Sequence, residues 1–334
     1  MIGPTPVVTL EEHYAWEPLS KGNAVAEMFK KEGLPAYKQL YDREELRLDD
    51  MDAAGIDYQI LSLLDPGVQE LDSTTEAVER ARQANDDLAK TVRAYPKRFG
   101  AFAALPTQSA HKAADELKRA IHELGFHGGL INGHSRGRYL DDPAYKILFS
   151  TAERLKVPLY LHPTSPHQAV FDAWFAPYKE DGLHLASWGF AVETGTHALR
   201  LVYSGVFDRF PHLKLILGHM GEMLPFALQR LDRYYLPGAW YLSPDERAKR
   251  LNGRKMPSEY LLSNCYITTS GNFFQPALAC ALATFGPERI LFSVDYPMDN
   301  NQIGMDFLRD APISDEQRTA IAGGNAARLF QLSL

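Results

Sequence analysis

The stretch VVTLEEHY, residues 7–14, opens as a buried strand and then puts Glu11, Glu12 and His13 where Val or Ile would be expected. Residues two apart on a strand share a face, so Glu11 and His13 aim together while Glu12 points to the opposite side, toward a helical layer. Seven further short runs follow: DYQILSLL (57–64), RFGAFAALP (98–106), HGGLING (127–133), VPLYLHP (157–163), LKLILGHMG (213–221), NCYITTSG (264–271) and RILFSVDYP (289–297). Between them lie amphipathic stretches such as TEAVERARQANDDLAKTVRAY and AHKAADELKRAIHEL, several closed by Pro or Gly. Strand runs alternating with helical periodicity are the signature of βα units around a parallel sheet. Eight units predict an α/β fold, a (β/α)₈ TIM barrel, as one domain over residues 1–334. A doubly wound open sheet is the alternative, but no G-x-G-x-x-G follows the first strand.

Two interruptions, residues 15–43 after the first strand and 164–187 after the fifth, are read as insertions in βα loops. Such loops sit on the barrel face that carries active sites, which makes both candidate lids.

The 42 acidic and 35 basic residues leave a formal charge of −7, with no Lys/Arg block to track a phosphate backbone, so nucleic acid is not expected as a partner. Only two cysteines occur, Cys265 and Cys280, far from any C-x-x-C spacing; this predicts neither a disulfide framework nor a thiolate metal site and fits a cytoplasmic protein. No apolar run approaches ~18 residues, so no membrane span is expected.

Ionisable side chains recur at the ends of the predicted strands: His162 in LYLHP, His219 in LILGHMGE and Asp295 in ILFSVDYP join Glu11 and His13. A single histidine beside a strand is usually a hydrogen-bonded structural group. Five such groups converging on one rim are different, because imidazole and carboxylate without sulfur form the donor set of Zn²⁺, Mn²⁺ and related ions. An incompletely filled coordination shell would let such an ion do chemistry. Glu12 is expected instead to partner a nearby Arg or backbone group. Trp174, Phe175, Trp188 and Phe190 receive no role, and His134, His184 and His197 are read as structural.

The segments EEH, YLHP, LGHMGE, ITTSGN and ILFSVDYP resemble the amidohydrolase superfamily, and more narrowly its metal-dependent, non-oxidative aromatic acid decarboxylases. DMDAAGIDYQILSLLDPGVQ (50–69) and the segment 192–232 carry the same likeness, which spans nearly the whole chain. EEH is similar to γ-resorcylate decarboxylases, whereas SRGRYLDD (135–142) is closer to carboxyvanillate decarboxylases. The resemblance implies Glu11, His13, His162 and Asp295 as metal ligands, His219 as the active-site histidine with Glu222 holding its ring, and Arg230 as a substrate contact. HGGLING lacks the lysine that bridges two metals in dinuclear relatives, so one divalent ion, Zn²⁺ or Mn²⁺, is implied. The expected activity is that of a carboxy-lyase: loss of CO₂ from a small aromatic acid with an ortho hydroxyl, with Asp295 as general acid, its pKa raised by burial. A metal-dependent hydrolase acting on an amide, lactone or C–C bond is the alternative. A homodimer or homotetramer is implied.

Overall fold

The computed structural model describes residues 5–20 and 23–333. Eight parallel strands follow one another in sequence order: β1 (Val8–Tyr14), β2 (Tyr58–Leu63), β3 (Phe99–Ala104), β4 (Gly128–Asn132), β5 (Leu159–His162), β6 (Leu215–Leu217), β7 (Cys265–Thr268) and β8 (Ile290–Leu291). Each neighbouring pair from β1 to β8 is hydrogen-bonded, and helices connect the strands, so the (β/α)₈ expectation holds. Val8, Leu10, Ile60, Phe102, Tyr160, Ile216 and Leu291 pack together inside the barrel, with Phe330 of the last helix joining them. A larger apolar layer lies between strands and helices, built from residues such as Leu88, Phe99, Leu148, Leu201 and Ile267. Above these two layers, the mouth at the strands' C-terminal ends collects a set of buried polar side chains.

Strand β1 does not keep a simple alternation. Its register against β2 shifts between Thr9 and Glu12, and the extra residue of this β-bulge resets which face each side chain takes. Leu10 therefore belongs to the barrel interior, yet Glu11 also turns inward, to meet Tyr160 and Ser270. A bulge next to an active site re-aims side chains in this way at the cost of one ladder position.

Two strands end earlier than the sequence predicts. His219 was expected to end the sixth strand, but β6 stops at Leu217 and His219 opens a turn in which His219, Met220, Gly221, Glu222 and Met223 all have positive φ. Asp295 was expected to end the eighth, but β8 stops at Leu291. The reason is that side chains take over the ladder. The Glu12 carboxylate accepts from Ser293 Oγ at 3.1 Å, Val294 N–H at 3.1 Å and Tyr296 N–H at 3.0 Å, while Ser293 N–H donates to Thr269 Oγ1 at 3.0 Å. Between the two captured amides sits Asp295, at φ 75°. The seam to β1 is made by His13 N–H donating to the Tyr296 carbonyl at 2.7 Å.

Glu12 thus meets backbone groups, in line with its expected role, and Arg47 stands behind it. That arginine is fully buried, donates to the His13 carbonyl at 2.6 Å and lies 4.6 Å from the centroid of the Tyr296 ring. Chain 15–43 carries the helices Glu17–Ser20, Ala24–Lys31 and Pro35–Tyr41, and residues 164–187 carry short turns at Gln168–Val170, Phe171–Phe175 and Ala176–Tyr178. His197, fully buried, accepts from Leu140 N–H at 2.9 Å, and the His134 ring accepts from Gly137 N–H at 3.1 Å. No helix among the described residues is long and apolar enough to cross a membrane.

Replacing Glu12 by Ala leaves two buried amides and a hydroxyl without an acceptor and is expected to cost about 3 kcal/mol or more of folding stability. Urea unfolding of the variant against the parent measures it, and an unchanged midpoint would show that the seam holds without this carboxylate.

Candidate metal centre and active site

Glu11 lies at the centre of the mouth with no exposed surface. One carboxylate oxygen, Oε2, is saturated by hydroxyls: Tyr160 and Ser270 donate to it in short bonds and Thr268 at 3.3 Å. The other, Oε1, has no hydrogen-bond partner; it faces His162 Nε2 at 3.5 Å and His219 Nε2 at 3.8 Å. His13 presents Nε2 to Asp295 Oδ1 at 3.3 Å, outside hydrogen-bonding geometry, with its Nδ1 at 3.2 Å from Ser62 Oγ. His162 places Nδ1 2.8 Å from the Pro163 carbonyl. That contact fixes the proton on Nδ1 and leaves the Nε2 lone pair facing the cluster, as in metal-binding histidines. The rings of His13 and His162 stand edge to face at 4.7 Å.

His219 Nδ1 is held by Glu222 Oε1 at 2.8 Å, and its Nε2 lies 3.7 Å from Asp295 Oδ2. Ser270 Oγ accepts the His219 backbone N–H at 3.2 Å, so one serine steadies both Glu11 and the left-handed turn. Two glycines make room. A Cβ on Gly218 would sit 2.9 Å from Glu11 Oε1, and one on Gly271 would sit 3.2 Å from both Asp295 Oδ2 and His219 Cδ2.

Ligand-type atoms of Glu11, His13 and His162 lie within 4.8 Å of one another, as do those of Glu11, His219 and Asp295. Buried acceptors without partners are rare because each forfeits its solvation. Glu11 Oε1, His13 Nε2 and His162 Nε2 converge without a hydrogen bond among them, an arrangement that a divalent cation would satisfy. The donor set, imidazole and carboxylate on a dry floor, fits Zn²⁺ or Mn²⁺. No lysine occurs on β4.

Charge distribution in the cluster corrects one expectation. Burial does push the Asp295 carboxyl upward, but the facing imidazoles of His13 and His219 outweigh it and hold Asp295 below the usual carboxylate range. Burial works against protonating His219 too, yet Glu11 and Glu222 overcome it and raise its pKa well above the ordinary value. Between these two groups the surroundings favour the proton on His219 over Asp295. His162, desolvated and beside His13, is neutral.

Arg230 does not join this cluster. It lies exposed on the helix Leu224–Tyr234, its guanidinium 5.0 Å from the centroid of the Tyr234 ring. Sequence reasoning passed over Tyr160, Thr268 and Ser270, which grip Glu11. Their signal was present: Tyr160 stands two residues before His162, and Thr268 two before Ser270, each pair on one face of its strand.

The profile of the family described as Amidohydrolase matches residues 37–332. A γ-resorcylate decarboxylase from Polaromonas sp. is 40% identical over 338 residues, covering 98% of both chains. Among solved structures, a dihydroxybenzoic acid decarboxylase from Polaromonas sp., with bound manganese and the inhibitor 2-nitroresorcinol, superposes with a TM-score of 0.89 at 38% identity, over 98% of this chain and 97% of that one. A 5-carboxyvanillate decarboxylase from Sphingomonas paucimobilis gives a TM-score of 0.87 at 35% identity, over 98% and 100% of the two chains.

Glu11→Gln and His162→Ala are each expected to lower metal content well below one divalent ion per chain, since each removes an unpartnered donor. Gly218→Ala, which removes no donor but crowds Glu11 Oε1, should lower it as well. Elemental analysis of the purified proteins checks all three; full occupancy throughout would move the metal elsewhere.

Proposed function

The chain belongs to the amidohydrolase family, and from that premise we propose that it is a metal-dependent, non-oxidative decarboxylase of a hydroxylated aromatic acid, a carboxy-lyase releasing CO₂ and a phenol. We read residues 1–334 as one catalytic domain. The donor cluster is common to lyases and hydrolases of such a fold; the full-length likeness to decarboxylases is the observation that carries the lyase reading. Glu11, His13, His162 and Asp295 would hold one Zn²⁺ or Mn²⁺. When bound, that ion would supply Lewis-acid polarisation to a chelating carboxylate and ortho hydroxyl.

The remaining chemistry falls to side chains. Decarboxylation of a phenolic ring is slow until the carbon bearing the carboxylate is protonated; the C–C bond then breaks, CO₂ leaves, and the bonding electrons restore the aromatic ring. A positioned acid is required. Asp295 is assigned that role, with His219 as its proton reservoir: Nε2 holds the proton, 3.7 Å from Asp295 Oδ2, and Glu222 fixes the imidazole from behind at 2.8 Å. Substrate binding would change the charge balance between the pair and let Asp295 carry the proton to the ring. Before that transfer, the positive charge on His219 offsets the negative charge of the substrate carboxylate.

Arg230 is assigned to the substrate through assembly. On this chain it shares its helix with Phe226, 90% exposed, and Met223 lies just before the helix, 50% exposed. A second copy covering that surface would bury the apolar groups and bring Arg230 to the neighbouring mouth, giving a homodimer or the building block of a homotetramer. Both cysteines are free, which accords with a cytoplasmic location.

Turnover of an ortho-hydroxybenzoate in D₂O is expected to place one deuterium on the carbon that carried the carboxylate. Entry of ¹⁸O from labelled water into the product, with no ring deuterium, would instead establish the hydrolase. Asp295→Asn should abolish turnover even in excess metal, since an amide cannot deliver the proton. Arg230→Ala should lower kcat/KM on the order of 10²-fold with metal content unchanged, and Arg230→Lys should lie between, a point charge replacing a planar fork. Parental kinetics in Arg230→Ala would return this residue to the surface.

A further inference from the structure

The two oxygens of Glu11 are treated unequally, and counting the protons around them shows how completely. A carboxylate has about four acceptor sites, two on each oxygen. Tyr160 and Ser270 both donate to Oε2 in short bonds, and Thr268 Oγ1 is a third neighbour at 3.3 Å. All three hydroxyl residues lie wholly inside the protein, with no water to take their protons. Ser270 Oγ accepts the His219 N–H at 3.2 Å, which leaves its own proton for Glu11. Thr268 Oγ1 lies 3.2 Å from the Tyr160 hydroxyl and 2.7 Å from Ser270 Oγ, so its single proton can go to either of them or to Glu11. With Tyr160 and Ser270 donating, both sites on Oε2 are used whichever way Thr268 turns. Oε1 keeps both of its own, since it has no hydrogen-bond partner.

A carboxylate free to turn can give an ion one oxygen or two. Here a turn that brought Oε2 to the ion would leave two buried hydroxyls without an acceptor, and each would forfeit its solvation. Tyr160 cannot follow such a turn. Its ring is packed in the barrel interior against Phe102, with centroids 5.8 Å apart. Ser270 is tied at the same time to the His219 amide. Hydrogen-bonded partners of this kind orient metal ligands.

Resting on the metal-dependent decarboxylase reading, we propose that Tyr160 and Ser270 are positioning residues that restrict Glu11 to one coordinating oxygen and so keep a place on the ion for the substrate. One atom each from Glu11, His13, His162 and Asp295 makes four protein donors. A substrate that chelates through its carboxylate and ortho hydroxyl needs two places beside them, and a Glu11 released from its hydroxyls would compete for the second.

The test uses protein loaded with Co²⁺, whose visible absorption reports its ligands without turnover. Two probes are titrated: catechol, whose adjacent hydroxyls can chelate, and phenol, which offers one oxygen. The parent is expected to bind catechol at least ~10-fold more tightly than phenol, because the second oxygen binds intramolecularly. Tyr160→Phe keeps the packed ring and removes only the hydroxyl; it should bring this ratio to within about 3-fold of unity, with phenol affinity as in the parent. Its Co²⁺ spectrum before any probe is added should also differ from the parent's, as Glu11 gives its second oxygen. Tyr160 acting only in folding would weaken metal retention or both probes alike and leave the ratio in place. An unchanged ratio in a folded, Co²⁺-loaded Tyr160→Phe overturns the inference, as does a parent that binds both probes equally. Should Tyr160→Phe not fold, the same ratio in Ser270→Ala decides. A parent that takes up no Co²⁺ removes the metal centre and the inference together. A loaded parent inactive on every ortho-hydroxybenzoate removes the decarboxylase reading alone and leaves the catechol ratio to decide.

Discussion

Ionisable groups without their own water are the constraint around which this barrel is arranged. Glu11 is fully buried and each of its oxygens meets a different need: three hydroxyls neutralise one, and imidazoles surround the other. Taking a carboxylate out of water costs several kcal/mol unless its lone pairs are satisfied. The hydroxyls of Tyr160, Thr268 and Ser270 reach from β5, β7 and the segment just after β7, so three parts of the wall are committed to that single oxygen. The atom left over, Oε1, is then free to face a cation.

Backbone strain is concentrated at the same place. His219, Met220, Glu222, Met223 and Asp295 hold left-handed conformations, each costing roughly 1–3 kcal/mol in a non-glycine residue. Such a geometry persists only where the surroundings over-determine it. At Asp295 this is done by Glu12, which holds the amides on either side, and by Arg47, which braces His13 and Tyr296 from the helical layer. Near His219 it is done by Ser270, bonded to the His219 amide, and by the packing of buried Met220. Stability built elsewhere in the two apolar layers is spent on holding Asp295 and His219 at one point.

The mouth divides its labour by chemistry. One side gathers donors for a metal ion; the other, between the chain after β1 and the chain after β5, is a largely apolar cavity with the acidic Asp65 and Glu70 in its wall and, among the described residues, no lysine or arginine. The exposed Phe226 and Met223 around Arg230 lie outside this mouth.

Much of this was legible in the chain. Eight apolar runs alternating with amphipathic stretches determine a parallel barrel, because a strand buried on both faces and a helix with one apolar stripe have few other ways to hide their surface. The recurrence of Glu11, His13, His162, His219 and Asp295 at run ends marked the site, since no core residue type explains them. Three things needed the tertiary structure. Alternation could not reveal the bulge in β1 that turns both Leu10 and Glu11 inward, since a bulge is set by pairing with β2. Burial alone raises the pKa of Asp295, whereas neighbours far apart in sequence, His13 and His219, pull it the other way. Which Glu11 oxygen stays open had no signal in TLEEHY, because whether a buried acceptor finds a partner depends on every segment packed around it, and only the assembled fold decides that.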